Sequence, residues 1–377
     1  MDTKTSEKQI KRLSRANEDR AVIPGAGYFI ILATTVVLLL SFSLAFCAVF
    51  AKQHIFDELG FFHSQSQSQS PSDATPNSPS SGSSGNSTVI GGGLSVGKNS
   101  LGKTPAKRAS SISRSSSSVD DIVDPYDLDN AILIDLDTYE SIAEKSADTL
   151  IYPASMTKVM SLLVACENMK SLNTKLTVKW EHLNYAYRMG GSLFGVKEGD
   201  VLDTQDLLYL TSYYSDTVAV IMLAEHVAGS EDEFVNLMNK KARELGLKNT
   251  HFDNCTGLHS DENYTTCREM AAIMAYALEN PLCKELLTST KPYKIIIDGE
   301  SAYTLWSPSW YRDRLSEKPK LNTVTVSGGK TGYIDESGYC LVSYAVGNTS
   351  GKRYIQVIVG DTKRSEGIKY IYNNYAT

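Results

Sequence analysis

No CxxC pair occurs in this 377-residue chain. Its six cysteines (Cys47, Cys166, Cys255, Cys267, Cys283 and Cys340) are not spaced for a zinc cluster or a thioredoxin-type redox pair. A basic excess is missing too. With a formal net charge of −6, nothing in the composition calls for nucleic acid as a partner. Charge is absent altogether from Ala21 to Ala51. Within that gap, GYFIILATTVVLLLSFSLAFCAVFA is apolar on every side, so no amphipathic face marks it as a core helix.

At 1.5 Å per residue about 20 residues cross a bilayer, and this run is long enough. Lys4, Lys8, Lys11, Arg12, Arg15 and Arg20 precede it, which places the N-terminus in the cytoplasm and the remainder outside. A cleaved signal peptide is the competing reading, with Val49-Phe50-Ala51 as the cut. Its apolar region would be shorter, roughly 7–15 residues. The expectation is therefore a cytoplasmic segment at 1–26 and an uncleaved transmembrane signal anchor at 27–51.

Apolar side chains are scarce from His63 to Val119, where SQSQSQS, SPSSGSSGNS and SSISRSSSS dominate. Such sequence has too little to bury to offset the entropy of ordering it. About 57 residues of flexible chain span ~40 Å on average. Residues 52–123 read as an extracytoplasmic low-complexity linker, and 124–377 as the folded domain, long enough for a substantial core.

Within that domain NAILIDLDTYESIAEKSAD reads as a hairpin, with Ile132, Ile134 and Leu136 alternating. After Pro153, SMTKVMSLLVACENM has helical spacing, with Val159, Leu162, Leu163 and Cys166 on one side. Ser230-Glu231-Asp232-Glu233 is a capping box that opens a further helix. TVTVSGGKTG, YCLVSYAVG and RYIQVIVGD read as three consecutive strands before a last helix at roughly 365–375. Strands at both ends around a helical middle predict an α+β domain, an antiparallel sheet flanked by helices with a mainly helical insertion.

Three short motifs stand in order: Ser155-Met156-Thr157-Lys158, Ser215-Asp216-Thr217 and Lys330-Thr331-Gly332. Three residues apart at a helix start, Ser155 and Lys158 share a face. A serine hydroxyl is a weak nucleophile until a base takes its proton, and a lysine serves only if burial or its neighbours lower its pKa. The Ser155 backbone N–H would point outward, ready for an oxyanion. Lys330 at a strand edge can bind a carboxylate, Thr331 adds a hydroxyl donor, and Gly332 lets a ligand approach the strand. Alone, Ser155-x-x-Lys158 is equally an ordinary helix start, and Lys330 a solvated charge. The combination carries the weight.

Around these motifs PASMTKVM, GDVLDTQDLLYL, AEHVAGSEDEFVNLMNKKARELGLKNTHF, TGLHSDENYTTCREMA and KTGYIDESGYCLVSYA resemble the D-alanyl-D-alanine carboxypeptidases, the low-molecular-mass penicillin-binding proteins. The resemblance covers nearly all of residues 126–375. It implies a β-lactamase/transpeptidase-like fold and a serine-type hydrolase of peptidoglycan stem peptides ending in D-Ala-D-Ala, sensitive to β-lactam antibiotics. It implies Ser155 as the acylated nucleophile, Lys158 as its proton acceptor and Ser215 as a relay to the leaving D-alanine. Lys330 and Thr331 would hold the terminal carboxylate beside Gly332, and the N–H groups of Ser155 and Tyr333 would form the oxyanion hole. No metal or organic cofactor is expected.

One departure stands out: the middle motif usually ends in Asn, and here Thr217 occupies that substrate-binding position with a single shorter hydroxyl. Loss of one contact costs ~1–3 kcal/mol, or about 5- to 150-fold in rate. A weakly active or inactive tethered relative that binds peptidoglycan peptides is therefore an alternative, as is a D,D-endopeptidase. No Glu-centred loop resembles the class A deacylation motif, which speaks against a β-lactamase. Cys255 and Cys267 bracket the TGLHSDENYTT loop, where a bridge is one option and unpaired thiols the default. His259 in that loop reads as a surface residue. Asn254-Cys255-Thr256 matches a glycosylation sequon without meaning for a bacterial wall enzyme.

Overall fold

The computed structural model describes residues 112–114, 120–123, 125–126, 128–299, 301–306, 321–360 and 364–376. The cytoplasmic and transmembrane segments expected at 1–26 and 27–51, and most of the linker, lie outside the described residues. No helix among the described residues is long and apolar enough to cross a membrane.

In chain order the strands Ser113–Arg114 (β1), Asp120–Asp121 (β2), Asn130–Asp135 (β3), Glu140–Lys145 (β4) and Leu150–Ile151 (β5) come first. A 3-10 turn, Ala154–Thr157, leads into helix Lys158–Asn168 (α1). Then follow Lys175–Thr177 (β6), Trp180–Arg188 (α2), Val201–Asp203 (β7), Thr204–Tyr213 (α3), Thr217–Ala228 (α4) and Glu231–Glu244 (α5). Thr265–Thr266 (β8), Cys267–Ala277 (α6), Pro281–Thr288 (α7), Tyr293–Ile297 (β9) and Ser301–Leu305 (β10) come next. Val324–Ile334 (β11), Gly338–Gly347 (β12), Arg353–Val359 (β13) and Arg364–Tyr375 (α8) close the unit.

The main sheet is seven-stranded, in the order β1-β4-β3-β13-β12-β11, with β2 also on β4. Chain ends thus meet in mid-sheet, where β3 pairs antiparallel with β13. This is the antiparallel sheet flanked by helices that the sequence predicts. It differs at one edge, where β1 and β2 run parallel to β4. Both strands precede residue 124, inside the segment read as linker. Two residues cannot display a period, and the anchors are single apolar side chains, Ile112 and Ile122, buried at 4% exposure each.

Both faces of the sheet are covered, which explains why β3 is buried at every position. Ala131 and Leu133 pack with Ile368, Ile371 and Tyr372 of α8, whereas Ile132 and Ile134 join the larger core under the helices. Helix α1 runs through that larger core and is buried from Lys158 to Glu167. The single apolar face expected there is therefore an all-round one. Burying each large apolar side chain stabilises by ~1.5–3 kcal/mol, so α1 is a firmly held support for a reactive group. The N-cap half of the expected capping box forms, with the Ser230 hydroxyl accepting from Glu233 N at 3.2 Å.

Candidate active site

Pro153 opens a tight turn in which Ala154 adopts φ +49°, a left-handed conformation that costs a non-glycine residue energy. Ser155 is thereby presented at the head of α1, and Lys158 lies one turn further in, only 1% exposed. Lys158 Nζ donates to Ser155 Oγ at 3.2 Å and to the Thr256 carbonyl at 2.6 Å. Burial pushes the Lys158 pKa down to about 8, against the opposing pull of Cys255 and Asp216. At neutral pH about a tenth of such a group is unprotonated, enough to accept the serine proton.

A loop far along the chain completes this wall. Asn254 Oδ1 accepts from Thr256 N at 3.1 Å, Thr256 Oγ1 at 2.8 Å and Gly257 N at 2.7 Å. Its amide nitrogen donates to Leu258 O at 3.0 Å. That closed turn aims the Thr256 carbonyl at Lys158. Gly257 packs so tightly that a Cβ there would sit 1.9 Å from Ala154 O. On the other side a Cβ on Gly332 would lie 2.9 Å from Ala154 Cβ and 3.0 Å from Ser155 N. Two glycines grip the serine turn, and its backbone nitrogen lies beside Gly332 of β11.

The second wall starts where α3 ends. Only Tyr214, Ser215 and Asp216 separate α3 from α4, and Ser215 takes φ +57° to make the reversal. Asp216 caps α4, accepting from Ala219 N at 2.6 Å, and ties down a neighbouring loop by accepting from Phe194 N at 2.6 Å. Burial pushes its carboxyl pKa up, and these two amides pull it back. Ser215 Oγ accepts from Lys330 Nζ at 2.9 Å. Lys330, 3% exposed on β11, also donates to Thr331 O at 3.0 Å.

Ser215, Lys330 and Thr331 line one cavity of about 240 Å³ with Ser192, Tyr213 and Tyr214. The motif residues are thus gathered as two hydrogen-bonded pairs, Ser155 with Lys158 and Ser215 with Lys330, with Gly332 against the serine turn. Tyr333 is 53% exposed and its hydroxyl donates to Asp335 at 3.0 Å, leaving its backbone as the group on the strand edge.

Thr217 is placed differently. It is 1% exposed, and its hydroxyl has no hydrogen-bond partner. As the first residue of α4 it turns inward onto Gly191, where a Cβ would fall 2.5 Å from Thr217 Oγ1. Asn254, Thr256 and Gly257 were not among the residues that spacing singles out for chemistry. Their signal is the Asn-x-Thr-Gly run itself, which reads as a side-chain-closed turn as readily as a glycosylation pattern. Cys255 and Cys267 are buried free thiols. His259 stacks edge-on against Tyr152 and lies 3.7 Å from both Asp261 and Glu336.

A nucleophile with an amine base in contact, a second hydroxyl on a buried cation and a backbone N–H at a strand edge equip this cleft for acyl transfer. Comparison with known proteins agrees. Residues 120–363 match the D-alanyl-D-alanine carboxypeptidase family. The chain is 33% identical to the D-alanyl-D-alanine carboxypeptidase DacF of Bacillus subtilis over 249 residues, 64% of this chain and 59% of that protein. It is 33% identical to DacA of Escherichia coli over 248 residues, 63% of this chain and 57% of that protein. It therefore spans less than two thirds of the length of either relative. The crystal structure of the Streptomyces K15 DD-transpeptidase superposes with a TM-score of 0.59 at 25% identity, covering 68% of this chain and 100% of that one. Motifs, sheet topology and family match converge, and the chain belongs to the D-alanyl-D-alanine carboxypeptidase family.

Proposed function

We propose that this protein is a serine-type, penicillin-sensitive hydrolase that removes the terminal D-alanine from peptidoglycan stem pentapeptides. Its span at 27–51 anchors it in the cell membrane, with the catalytic domain outside. The observation that carries the reading is Lys158, buried and held near pKa 8, in contact with Ser155 Oγ. Neutral Lys158 accepts the Ser155 proton as Oγ bonds to the carbonyl carbon of the scissile peptide. The displaced electron pair settles on the carbonyl oxygen, facing the N–H groups of Ser155 and Tyr333. When the C–N bond breaks, the proton passes through Ser215 to the departing amine. Lys330 and Thr331 hold the carboxylate of that D-alanine. Water then attacks the ester, losing a proton to Lys158, and the proton returned to Ser155 Oγ frees the shortened peptide.

Incubating the full chain in detergent with a muramyl-pentapeptide, while following D-alanine release and the intact mass after penicillin, tests this. Release and a mass adduct are expected, and both disappear in Ser155→Ala. An adduct without release would shift the reading to an endopeptidase acting on cross-linked peptides. Neither signal would overturn the enzyme reading in favour of a tethered peptide-binding protein. The same intact mass distinguishes an uncleaved anchor from cleavage after Ala51.

A further inference from the structure

The wall opposite the nucleophile lacks what its motif leads one to expect. Thr217 cannot meet a ligand in the cavity: it is buried, its hydroxyl is unpartnered, and Gly191 closes over it. Yet exposed Ser192 lines the cavity from that side, together with Ser215, Lys330 and Thr331. Three hydrogen bonds fix the segment carrying Ser192. Gly191 N donates to Ala186 O at 2.8 Å, Thr217 N to Ser192 O at 2.9 Å, and Phe194 N to Asp216 Oδ2 at 2.6 Å. The middle motif thus acts on this loop through backbone and carboxylate, while its third side chain serves as packing.

We infer that Ser192, not Thr217, is the side chain this wall presents to the substrate, and that its hydroxyl hydrogen-bonds a peptide amide of the stem peptide. A serine hydroxyl both donates and accepts, so it suits either end of an amide. The inference rests on the acyl-transfer reading above, and sharpens it by naming a specificity residue outside the three motifs. Because the loop is already pinned, the contact needs no ordering of the chain when substrate arrives.

Full-length Ser192→Ala, Ser192→Thr and Thr217→Val are compared for D-alanine release, penicillin acylation rate and thermal unfolding. Ser192→Ala is expected to lower kcat/KM about 10-fold, mostly through KM, with unchanged unfolding. Ser192→Thr, which keeps the hydroxyl, restores most of that loss. Thr217→Val stays within about twofold of the parent and unfolds no earlier, since it removes only an unpartnered buried hydroxyl. The inference is overturned if Ser192→Ala matches the parent, or if Thr217→Val loses as much as Ser192→Ala. Should the parent itself release no D-alanine, the functional reading has failed separately. The same ordering is then read on penicillin acylation, and an equal rate for Ser192→Ala and parent, or no acylation at all, overturns the inference.

Discussion

The two walls of the cleft are held by opposite means. On the Ser155 side the named side chains are hydrogen-bonded: Lys158 has two acceptors, and Asn254 closes the loop that supplies one of them. Glycines let backbone pack directly on backbone there. On the Ser215 side a left-handed serine, an unpartnered threonine hydroxyl and a loop serine do the work. Proton transfer between a serine and a lysine tolerates little displacement, and the proposed roles of Ser155 and Lys158 would set that demand on this wall. The opposite wall is assembled from a helix connection and a loop, and under the proposed function it is the side that would admit and release the peptide.

The strongest way to break this contrast is Gly257→Ala. Its Cβ would collide with the Ala154 carbonyl, and φ +76° adds strain of its own. We expect a loss on the order of 3 kcal/mol or more in thermal unfolding, and no penicillin adduct. On the Ser215 wall the counterpart is Gly329, where a Cβ would fall 2.3 Å from the Val342 carbonyl oxygen, so Gly329→Ala should cost a comparable amount of stability.

Next in size is the pH dependence. Lys158 accepts a proton only when neutral, and its pKa is about 8. Acylation should therefore fall about tenfold per pH unit below that value and level off above it. Stability shares the sign: the folded pKa lies below the usual 10.5, so the unfolded chain binds more protons between about 8 and 10.5. Unfolding free energy contributed by Lys158 rises with pH across that window. A flat acylation profile from pH 6 to 8 would remove Lys158 as the base.

Asn254→Ala is smaller again. It deletes the acceptor of three hydrogen bonds and frees the Thr256 carbonyl from its aim at Lys158. The expected cost is ~2–3 kcal/mol in denaturant unfolding, with acylation slower than the parent's at both pH 7 and pH 9. A variant that acylates normally would show that α1 alone places Lys158.

These residues also mark what was legible in the sequence. Ser155, Lys158 and Lys330 could be read because the chemistry lies in residue type and short spacing. The N-cap at Ser230 could be read because both its members are local. Thr256 escaped because its partner Lys158 is 98 residues away in the chain, a contact no local period encodes, and the local turn of Asn254 matters to the site only through that contact. Thr217 was read from its motif position, but the direction of a side chain at a helix start depends on Gly191, on a separate loop. Strands β1 and β2 escaped because two residues have no alternation to detect. The hairpin and the last three strands were legible, since each is long enough to show one.

The smallest effect is the most discriminating, because it weighs the two left-handed residues against each other. Ser215→Ala and Ser215→Gly both remove the hydroxyl that Lys330 contacts, so the difference between them isolates the backbone. Glycine relieves the strain of φ +57°, worth ~1–2 kcal/mol, and gives back ~0.5–1 kcal/mol through its freer unfolded chain. Ser215→Gly should therefore be more stable than Ser215→Ala by at most about 1.5 kcal/mol. Ala154, at φ +49°, offers the same relief to Ala154→Gly. Its Cβ, however, is fully buried against Gly332, and removing it leaves a gap beside the nucleophile. That loss of packing offsets the gain, so Ala154→Gly should be neutral or destabilising. If it were stabilised as much as Ser215→Gly is over Ser215→Ala, the Ser155 wall would be no more tightly packed than its opposite, and the contrast would fail.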